Sequence, residues 1–509
     1  MRRPSPWLAL SLGAALLAAA GAVGEFRNPP GGDAASLLYG AERILDGAKL
    51  YRDLVDLNPP FVFLFHIPFV AAARLFHVFV FSCFRVGILL LILLSFLTLV
   101  RVLRSSHAGR GTWHALVAAF LLGSLGLVVG FFGEREHLQF VLMFPYLALA
   151  SLHAAGDHPP RGVAAWTGVL AGVGLALKVT AGLVPVLILA VLWFGRRVRS
   201  DESLWALGVL ALCTAAGLLW APGYYAITRE LGGFYRGFSG APAATLILGQ
   251  PMAWMCGAAL VAAVATGRSL REQGTAVVWG VAVIGFIISL LAQGKGFLYH
   301  YLPAEYSALT LVMLLLASEA RQRSRLDAAR RAVAAAVVTL IAAVPLNVVA
   351  HRLTSPVRDV GTLGAPAFSL LGSLPRGTSV AVESSRLGDA FPLALMHDLH
   401  LTGRFPHLWF FYPYDSAAAR LPQGIRPYAD SGLTPLERHL RDEVAADFTQ
   451  ARPAFLLIRS MPGGPGMREY LCDDRLFARA SAGYVPVRSE GELTLYRRGD
   501  GAGGVCPGR

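Results

Sequence analysis

Long apolar runs alternate with short polar segments through the first 350 residues, after which the pattern becomes mixed. Many of these runs approach 18 residues or more, about the length at which a helix can cross a bilayer. Eleven such runs predict a polytopic α-helical membrane region. They lie near 7–23, 80–103, 114–132, 137–154, 162–178, 180–195, 204–221, 244–266, 275–293, 302–318 and 331–350.

The distribution of basic residues predicts how these segments are oriented. Every second loop between the predicted spans is rich in arginine, so all heavily basic short loops fall on the cytoplasmic side, as the positive-inside rule expects. An odd number of spans then places the C-terminal part outside the cytoplasm. The segment 59–76 is interrupted by Pro68 and Arg74, so we interpret it as a helix in the outer interface, with Arg74 reaching toward the headgroups.

The sequence pattern after residue 350 predicts a soluble α/β domain. Short β-like runs such as Ser379–Val382 and Phe455–Ile458 alternate with helix-like runs such as Leu436–Phe448. We therefore predict a membrane domain over 1–350, with its first outer loop at 24–79, and an extracytoplasmic α/β domain over 351–509.

The composition agrees with an integral membrane protein. The chain is 55% hydrophobic and 15% charged, and its net charge of +13 comes mostly from loop residues, so we predict no nucleic-acid partner. Of its five cysteines, only Cys472 and Cys506 are candidates for a disulfide. Arg2 and Arg3 precede a first apolar run that is either a cleaved signal peptide or a retained helix.

The first outer loop contains the most unusual polar cluster of the chain. Asp33 follows a Pro-Pro-Gly-Gly turn and precedes a helix-like run, so it is a candidate catalytic base or, alternatively, a helix N-cap. Arg52 lies further along the same loop and is a candidate phosphate contact. The charged residues of this loop include Asp33, Arg43, Asp46, Lys49, Arg52, Asp53 and Asp56.

A second polar cluster follows the third apolar run. Glu134, Glu136 and His137 have side chains that can bind a divalent cation, or they form a solvated turn in which Arg135 neutralises one acid. The two carboxylates are also candidate catalytic groups.

Two lysines at predicted outer ends of spans are candidates for binding a phosphate. Lys178 ends one apolar run. Lys295 lies between two glycines shortly before Tyr299 and His300, which are candidate phosphate contacts together with it. Glycines let the backbone approach an anion closely, and the ammonium group neutralises it. The alternative for both lysines is anchoring at the membrane interface.

These loop residues resemble a known family. The early acid, the segment LYRDLVDLNPP, the acidic second loop and the segment GKGFLYHYLP resemble GT-C membrane glycosyltransferases, especially the branch of protein O-mannosyltransferases and the lipid A aminoarabinose transferase. The resemblance implies inverting transfer of a sugar from a polyprenyl-phosphate donor to a lipid, glycan or protein of the envelope, at the outer face of a bacterial inner membrane. It assigns Asp33 as the base, Glu134 and Glu136 as assisting acids, and Lys178 and Lys295 as donor-phosphate contacts.

Other function classes remain open at this stage. A transporter or flippase of lipid-linked saccharides would also need cations and an apolar groove, although it would be expected to place ionisable groups deep within several spans. A non-enzymatic envelope assembly protein is a further alternative. The chain lacks a Walker A loop, an HExxH motif and a GxSxG elbow, which argues against nucleotide-driven pumping and serine hydrolysis.

Overall fold

Helices account for most of the chain in the computed structural model, which describes residues 6–128, 130–195, 198–239, 242–265, 274–294, 296–319, 365–408, 434–460, 467–499 and 504–506. The α-helices are α1 (Pro6–Arg27), α2 (Gly32–Leu45), α3 (Pro60–Phe76), α4 (Val80–Arg104), α5 (Arg110–Leu121), α6 (Arg135–Ala154), α7 (Arg161–Leu177), α8 (Leu183–Ala190), α9 (Asp201–Trp220), α10 (Gly223–Ser239), α11 (Ala243–Leu248), α12 (Pro251–Ala265), α13 (Thr275–Gln293), α14 (Leu302–Glu319), α15 (Ala365–Leu371), α16 (Leu393–Met396), α17 (Pro435–Ala451), α18 (Met467–Cys472) and α19 (Arg475–Ala480). The strands are β1 (Ser379–Glu383), β2 (His400–Leu401), β3 (Phe455–Arg459), β4 (Tyr484–Glu490) and β5 (Leu493–Arg498).

Six helical segments within the described residues are long and apolar enough to cross a membrane. Shorter apolar helices match three further predicted spans, at Arg161–Leu177, Val179–Gly195 and Pro251–Val264. The predicted run 331–350 lies outside the described residues. Together with the C-terminal sheet, these helices confirm the predicted fold class. The six long segments are Leu8–Arg27, Val80–Arg104, Arg135–Ala154, Asp201–Trp220, Thr275–Gln293 and Leu298–Ala317.

The chain divides into two compact units that do not follow the order of the sequence. Unit 1 comprises Met1–Pro30, Phe76–Trp220 and Ser239–Pro356, and it contains most of the apolar helices. Unit 2 comprises Gly31–Leu75, Ala221–Phe238 and Val357–Arg509. Two segments from the first half of the chain therefore belong with the C-terminal residues. The division into a membrane domain over 1–350 and an α/β domain over 351–509 remains a prediction.

Close helix packing organises unit 1. α7 lies against α9, and a Cβ added at Gly168 or Gly172 would come within 2.5 Å of Trp205 or Val209, respectively. These two glycines are four residues apart, the spacing that lets membrane helices approach closely. Polar contacts join the same region, since the Tyr146 hydroxyl lies 2.9 Å from the hydroxyl of Ser203.

Unit 2 is built on a five-stranded sheet in the order β2-β1-β3-β5-β4. β1 pairs in parallel with both β2 and β3, whereas β5 is antiparallel to both β3 and β4. α17 packs on one face through Leu440, Val444 and Phe448, which share a buried cluster with Leu456 of β3. A capping box between Thr434 and Glu437 starts this helix. The predicted β-like and helix-like runs of this region are confirmed.

Residues 31–75, which are most of the predicted first outer loop, belong to unit 2. The Tyr39 hydroxyl in α2 donates a hydrogen bond to the Leu401 carbonyl at 3.2 Å and accepts one from the Leu401 N–H at 3.1 Å. The Val55 N–H donates to the Arg404 carbonyl at 2.8 Å. These bonds attach the loop to β2 and to the turn that follows it.

The segment predicted to lie in the outer interface is helical, as α3. Its Arg74 forms ion pairs with Asp46, at 2.8 Å, and with Glu42, at 3.7 Å. Arg74 was expected to reach toward lipid headgroups, but here two carboxylates of α2 and its C-cap neutralise it.

Cys472 and Cys506 form the disulfide that the sequence named as the candidate pair. It joins α18 to the end of the chain across a sequence separation of 34 residues. Disulfides persist in oxidising compartments and are rare in reducing ones. The free cysteines of the described residues are Cys83, Cys213 and Cys256.

Candidate functional site

Three elements of unit 1 converge on the carboxylate of Glu136. Glu136 lies in the first turn of α6, Lys178 follows the last residue of α7, and His300 lies in the 3₁₀ turn before α14. The Lys178 ammonium forms an ion pair with Glu136 Oε1, and His300 Nε2 lies 3.2 Å from the same oxygen. Their side chains are at most 10% exposed.

This arrangement balances charge within a buried region. Removing one partner from a buried ion pair leaves the other charge uncompensated, which costs several kcal/mol. Lys178 was predicted to contact a donor phosphate, and its ammonium now has a carboxylate partner. An anion that approaches Lys178 would therefore compete with Glu136 for it.

The surroundings of His300 are aromatic. The ring of Tyr299 stacks on that of Phe297 with centroids 5.7 Å apart, and the ring of His300 meets that of Tyr299 edge-on at 4.5 Å. Tyr299 also lies 5.8 Å from the ring of Phe131. Tyr299 and His300 are thus brought beside the Glu136 cluster, whereas Lys295 lies outside the described residues.

The contacts of His137 do not fit a role as ligand of the candidate divalent cation. His137 Nε2–H donates to the Ser124 carbonyl at 2.8 Å, and its Nδ1 accepts from the Gly133 N–H at 3.1 Å, so both ring nitrogens are used. Within the described part of the chain, no three His, Cys, Asp or Glu side chains are grouped closely enough to hold a metal ion. We assign no step to a metal.

Glu134 is the other predicted acid of this cluster. It precedes the first residue of α6, and its backbone N–H donates to the Phe131 carbonyl at 3.0 Å. The residue is only 3% exposed. The sequence placed Glu134 and Glu136 in a loop open to solvent, but both are buried at the start of a helix.

Asp33 lies in unit 2, in the first turn of α2. The N-cap position of this helix belongs to Gly31, so the alternative reading of Asp33 as the N-cap is wrong. A carboxylate in a first turn is stabilised by the helix dipole. The half-buried Asp33 carboxylate forms no hydrogen bond or ion pair with any residue that the structure describes, and this leaves it available to a substrate.

Arg52 of the same loop is paired instead of free. Its guanidinium forms an ion pair with Asp53 at 2.7 Å on an exposed surface. The hydrogen bond from Arg52 lowers the pKa of Asp53 to about 2. A phosphate at Arg52 would have to share the guanidinium with this carboxylate.

His407 is a residue of this region that the sequence analysis did not single out. Burial lowers the pKa of its imidazole to about 4, and the charge of Asp33 opposes this shift. The imidazole is therefore neutral at pH 7. A single histidine between Pro406 and Leu408 has no spacing signal that could have linked it to Asp33.

Comparisons with known proteins give structural matches only. No family model matches the chain, and no curated protein matches it significantly. Among solved structures, the chain is similar to ArnT from Cupriavidus metallidurans, with a TM-score of 0.49 and 16% identity over 98% of this chain and 99% of that one. It is also similar to the arabinofuranosyltransferase AftD from Mycobacteria, with a TM-score of 0.47 and 17% identity over 97% of this chain and 40% of AftD.

A third similar structure is the Archaeoglobus fulgidus oligosaccharyltransferase tethered to an acceptor peptide. Its TM-score is 0.48, with 12% identity over 97% of this chain and 74% of that one. All three are GT-C membrane glycosyltransferases, the superfamily that the loop motifs resemble. Identity and scores at this level concern the fold and carry no information about this chain's substrate.

Proposed function

We propose that this protein is a membrane glycosyltransferase that moves a sugar from a polyprenyl-phosphate donor to an envelope acceptor. The observation that carries the proposal is the Asp33 carboxylate, which is half-buried at a helix start and unengaged by the described residues. A carboxylate in this state can accept a proton from an acceptor hydroxyl or amine.

Besides a base, the proposed reaction needs only cations that stabilise the leaving phosphate. Asp33 takes the acceptor proton as the acceptor atom attacks the anomeric carbon, and the bond from that carbon to the phosphate oxygen breaks. The electron pair leaves with the polyprenyl phosphate, which is a good leaving group at neutral pH. Cations stabilise the negative charge on the departing phosphate. We propose that Lys178, Lys295 and Arg52 supply these cations.

Transfer from a defined donor tests the proposal. Purified protein in lipid nanodiscs is incubated with a panel of radiolabelled polyprenyl-phosphate sugars and with an extract of envelope lipids, glycans and proteins. We expect label to move from one donor to one acceptor class, with inversion at the anomeric carbon. Movement of intact donor between the leaflets of proteoliposomes, without cleavage, would instead indicate a flippase.

The proposed orientation places unit 2 outside the cytoplasm of a bacterium. The disulfide between Cys472 and Cys506 supports it, since such bonds persist on the oxidising side of a membrane. The basic short loops support it as well.

Cysteine labelling of intact cells tests this orientation. In a background without the three free cysteines, we expect a membrane-impermeant maleimide to modify Arg438→Cys, at an exposed position of α17, and to spare Arg199→Cys, which lies in a predicted inner loop. Both positions are exposed in the structure, so accessibility within the protein is matched. The reverse pattern would contradict the outer placement of unit 2.

A further inference from the structure

The start of α2 lies against the C-terminal residues of unit 2. A Cβ added at Gly32, next to Asp33, would come 3.2 Å from Leu387 Cδ2 and 3.7 Å from the Phe391 carbonyl oxygen. Further along α2, the ring of Tyr39 lies 5.4 Å from the ring of Phe391. The backbone that carries Asp33 is therefore fixed against residues 387–391.

Hydrogen bonds from α2 to β2 further fix the orientation of α2 relative to the sheet. Besides the two bonds between Tyr39 and Leu401, the Arg43 guanidinium donates to the Leu401 carbonyl at 3.1 Å. The Leu401 backbone is thus saturated by side chains of α2. Because Tyr39 is buried, its pKa is raised, and its hydroxyl stays protonated as a donor.

The chain around His407 is held from both sides. The Arg404 guanidinium pairs with Asp447 at 2.9 Å and Glu443 at 2.7 Å, both on α17. On the other side, the Leu408 N–H donates to the Ser384 carbonyl at 2.9 Å, next to the end of β1. The position of His407 is consequently set by the sheet and by α17.

The imidazole of His407 has an unused hydrogen-bonding atom. Its Nδ1 is buried and has no hydrogen-bond partner among the described residues. A buried polar atom without a partner normally costs free energy, so such an atom calls for an explanation. The charge of Asp33 acts on this imidazole, and Asp33 is itself unengaged.

We propose that His407 is a positioning residue for Asp33, supplied by the C-terminal part of unit 2. The neutral imidazole orients the carboxylate through the acceptor group bound between them. This inference rests on the proposed function, because it assigns His407 a role in the same transfer reaction. It makes the C-terminal residues part of the reacting centre.

Kinetics of two His407 variants test the role. We expect His407→Leu to lower kcat for transfer about 10- to 100-fold, the range expected for a hydrogen bond to a charged group, with the KM for the donor unchanged. His407→Asn places an amide near the position of Nδ1 and should recover much of this loss. His397→Leu is the matched control, since His397 is also half-buried with an unpartnered ring nitrogen, and it should leave kcat unchanged.

A double variant separates positioning from a structural role. If His407 acts through Asp33, adding His407→Leu to Asp33→Asn should lower kcat no further. Effects that multiply instead, or a loss of kcat that follows a loss of thermal stability, would overturn the proposal.

Cross-linking tests the pairing without any transfer assay. In full-length protein, Asp33→Cys with His407→Cys should be joined by a short bifunctional maleimide, and the linked peptides detected by mass spectrometry. Asp33→Cys with His397→Cys should not be joined. Absence of the first cross-link overturns the inference even if the protein transfers sugar, whereas a wild-type protein that transfers no sugar overturns the proposed function and, with it, the positioning role.

Discussion

Replacing Asp33 with asparagine is expected to reduce sugar transfer by at least about 100-fold while membrane levels stay normal. Asparagine has the size of aspartate but cannot accept a proton, and general-base catalysis typically contributes about 10²- to 10⁴-fold. Asp33 makes no hydrogen bond or ion pair with the described residues, so its replacement should leave the fold intact. The measurement is kcat in nanodiscs, with the folded fraction determined by gel filtration.

Asp46→Asn is the control for this experiment. Asp46 lies in the same loop and is exposed, and its carboxylate pairs with Arg74. Loss of that surface pair should cost at most about 1 kcal/mol and should leave kcat near the wild-type value. If Asp33→Asn turned over at a near-normal rate, the assignment of Asp33 would be wrong, and Glu134 and Glu136 would become the next candidates.

Replacing Glu136 with leucine is expected to destabilise unit 1 strongly. The change removes the carboxylate that compensates Lys178 and lies beside His300, and breaking a buried ion pair in this way typically costs about 3 to 5 kcal/mol. We expect a clearly lower temperature of thermal aggregation in detergent. The double variant Glu136→Leu, Lys178→Met should recover most of the loss, because neither charge remains.

Glu305 offers a matched control for that rescue. It is also a buried glutamate in an apolar helix, 2% exposed, and it has no ion pair among the described residues. Lys178→Met should therefore not relieve the effect of Glu305→Leu. If Glu136→Leu were as stable as the wild type, the ion pair with Lys178 would contribute little to the stability of unit 1.

Local patterns in the sequence predicted the secondary structure well. The runs Ser379–Val382 and Phe455–Ile458 form most of β1 and β3, because apolar residues of strand-forming type are bounded there by turns. The run Leu436–Phe448 became α17, since its apolar spacing fits one helix face. Such signals depend on neighbours within a few residues.

The contacts of the candidate site could not be predicted in the same way. Glu136, Lys178 and His300 each looked like a residue at the end of a span, and nothing in their local sequence showed that Glu136 would pair with Lys178 and lie beside His300. The link between Asp33 and the His407 region depends on packing across hundreds of residues. Charge at a helix end can be predicted from sequence, but its partner cannot.

Attachment of α2 to β2 has a consequence for biogenesis. Tyr39 and Leu401 are 362 residues apart, and at about 5 to 20 residues per second the ribosome needs roughly 20 to 70 s to make the intervening chain. During that interval the buried face of α2 has no β2 to cover it. A nascent chain arrested before residue 400 would expose this face, which makes α2 a target for chaperones or proteases that monitor unfinished membrane proteins.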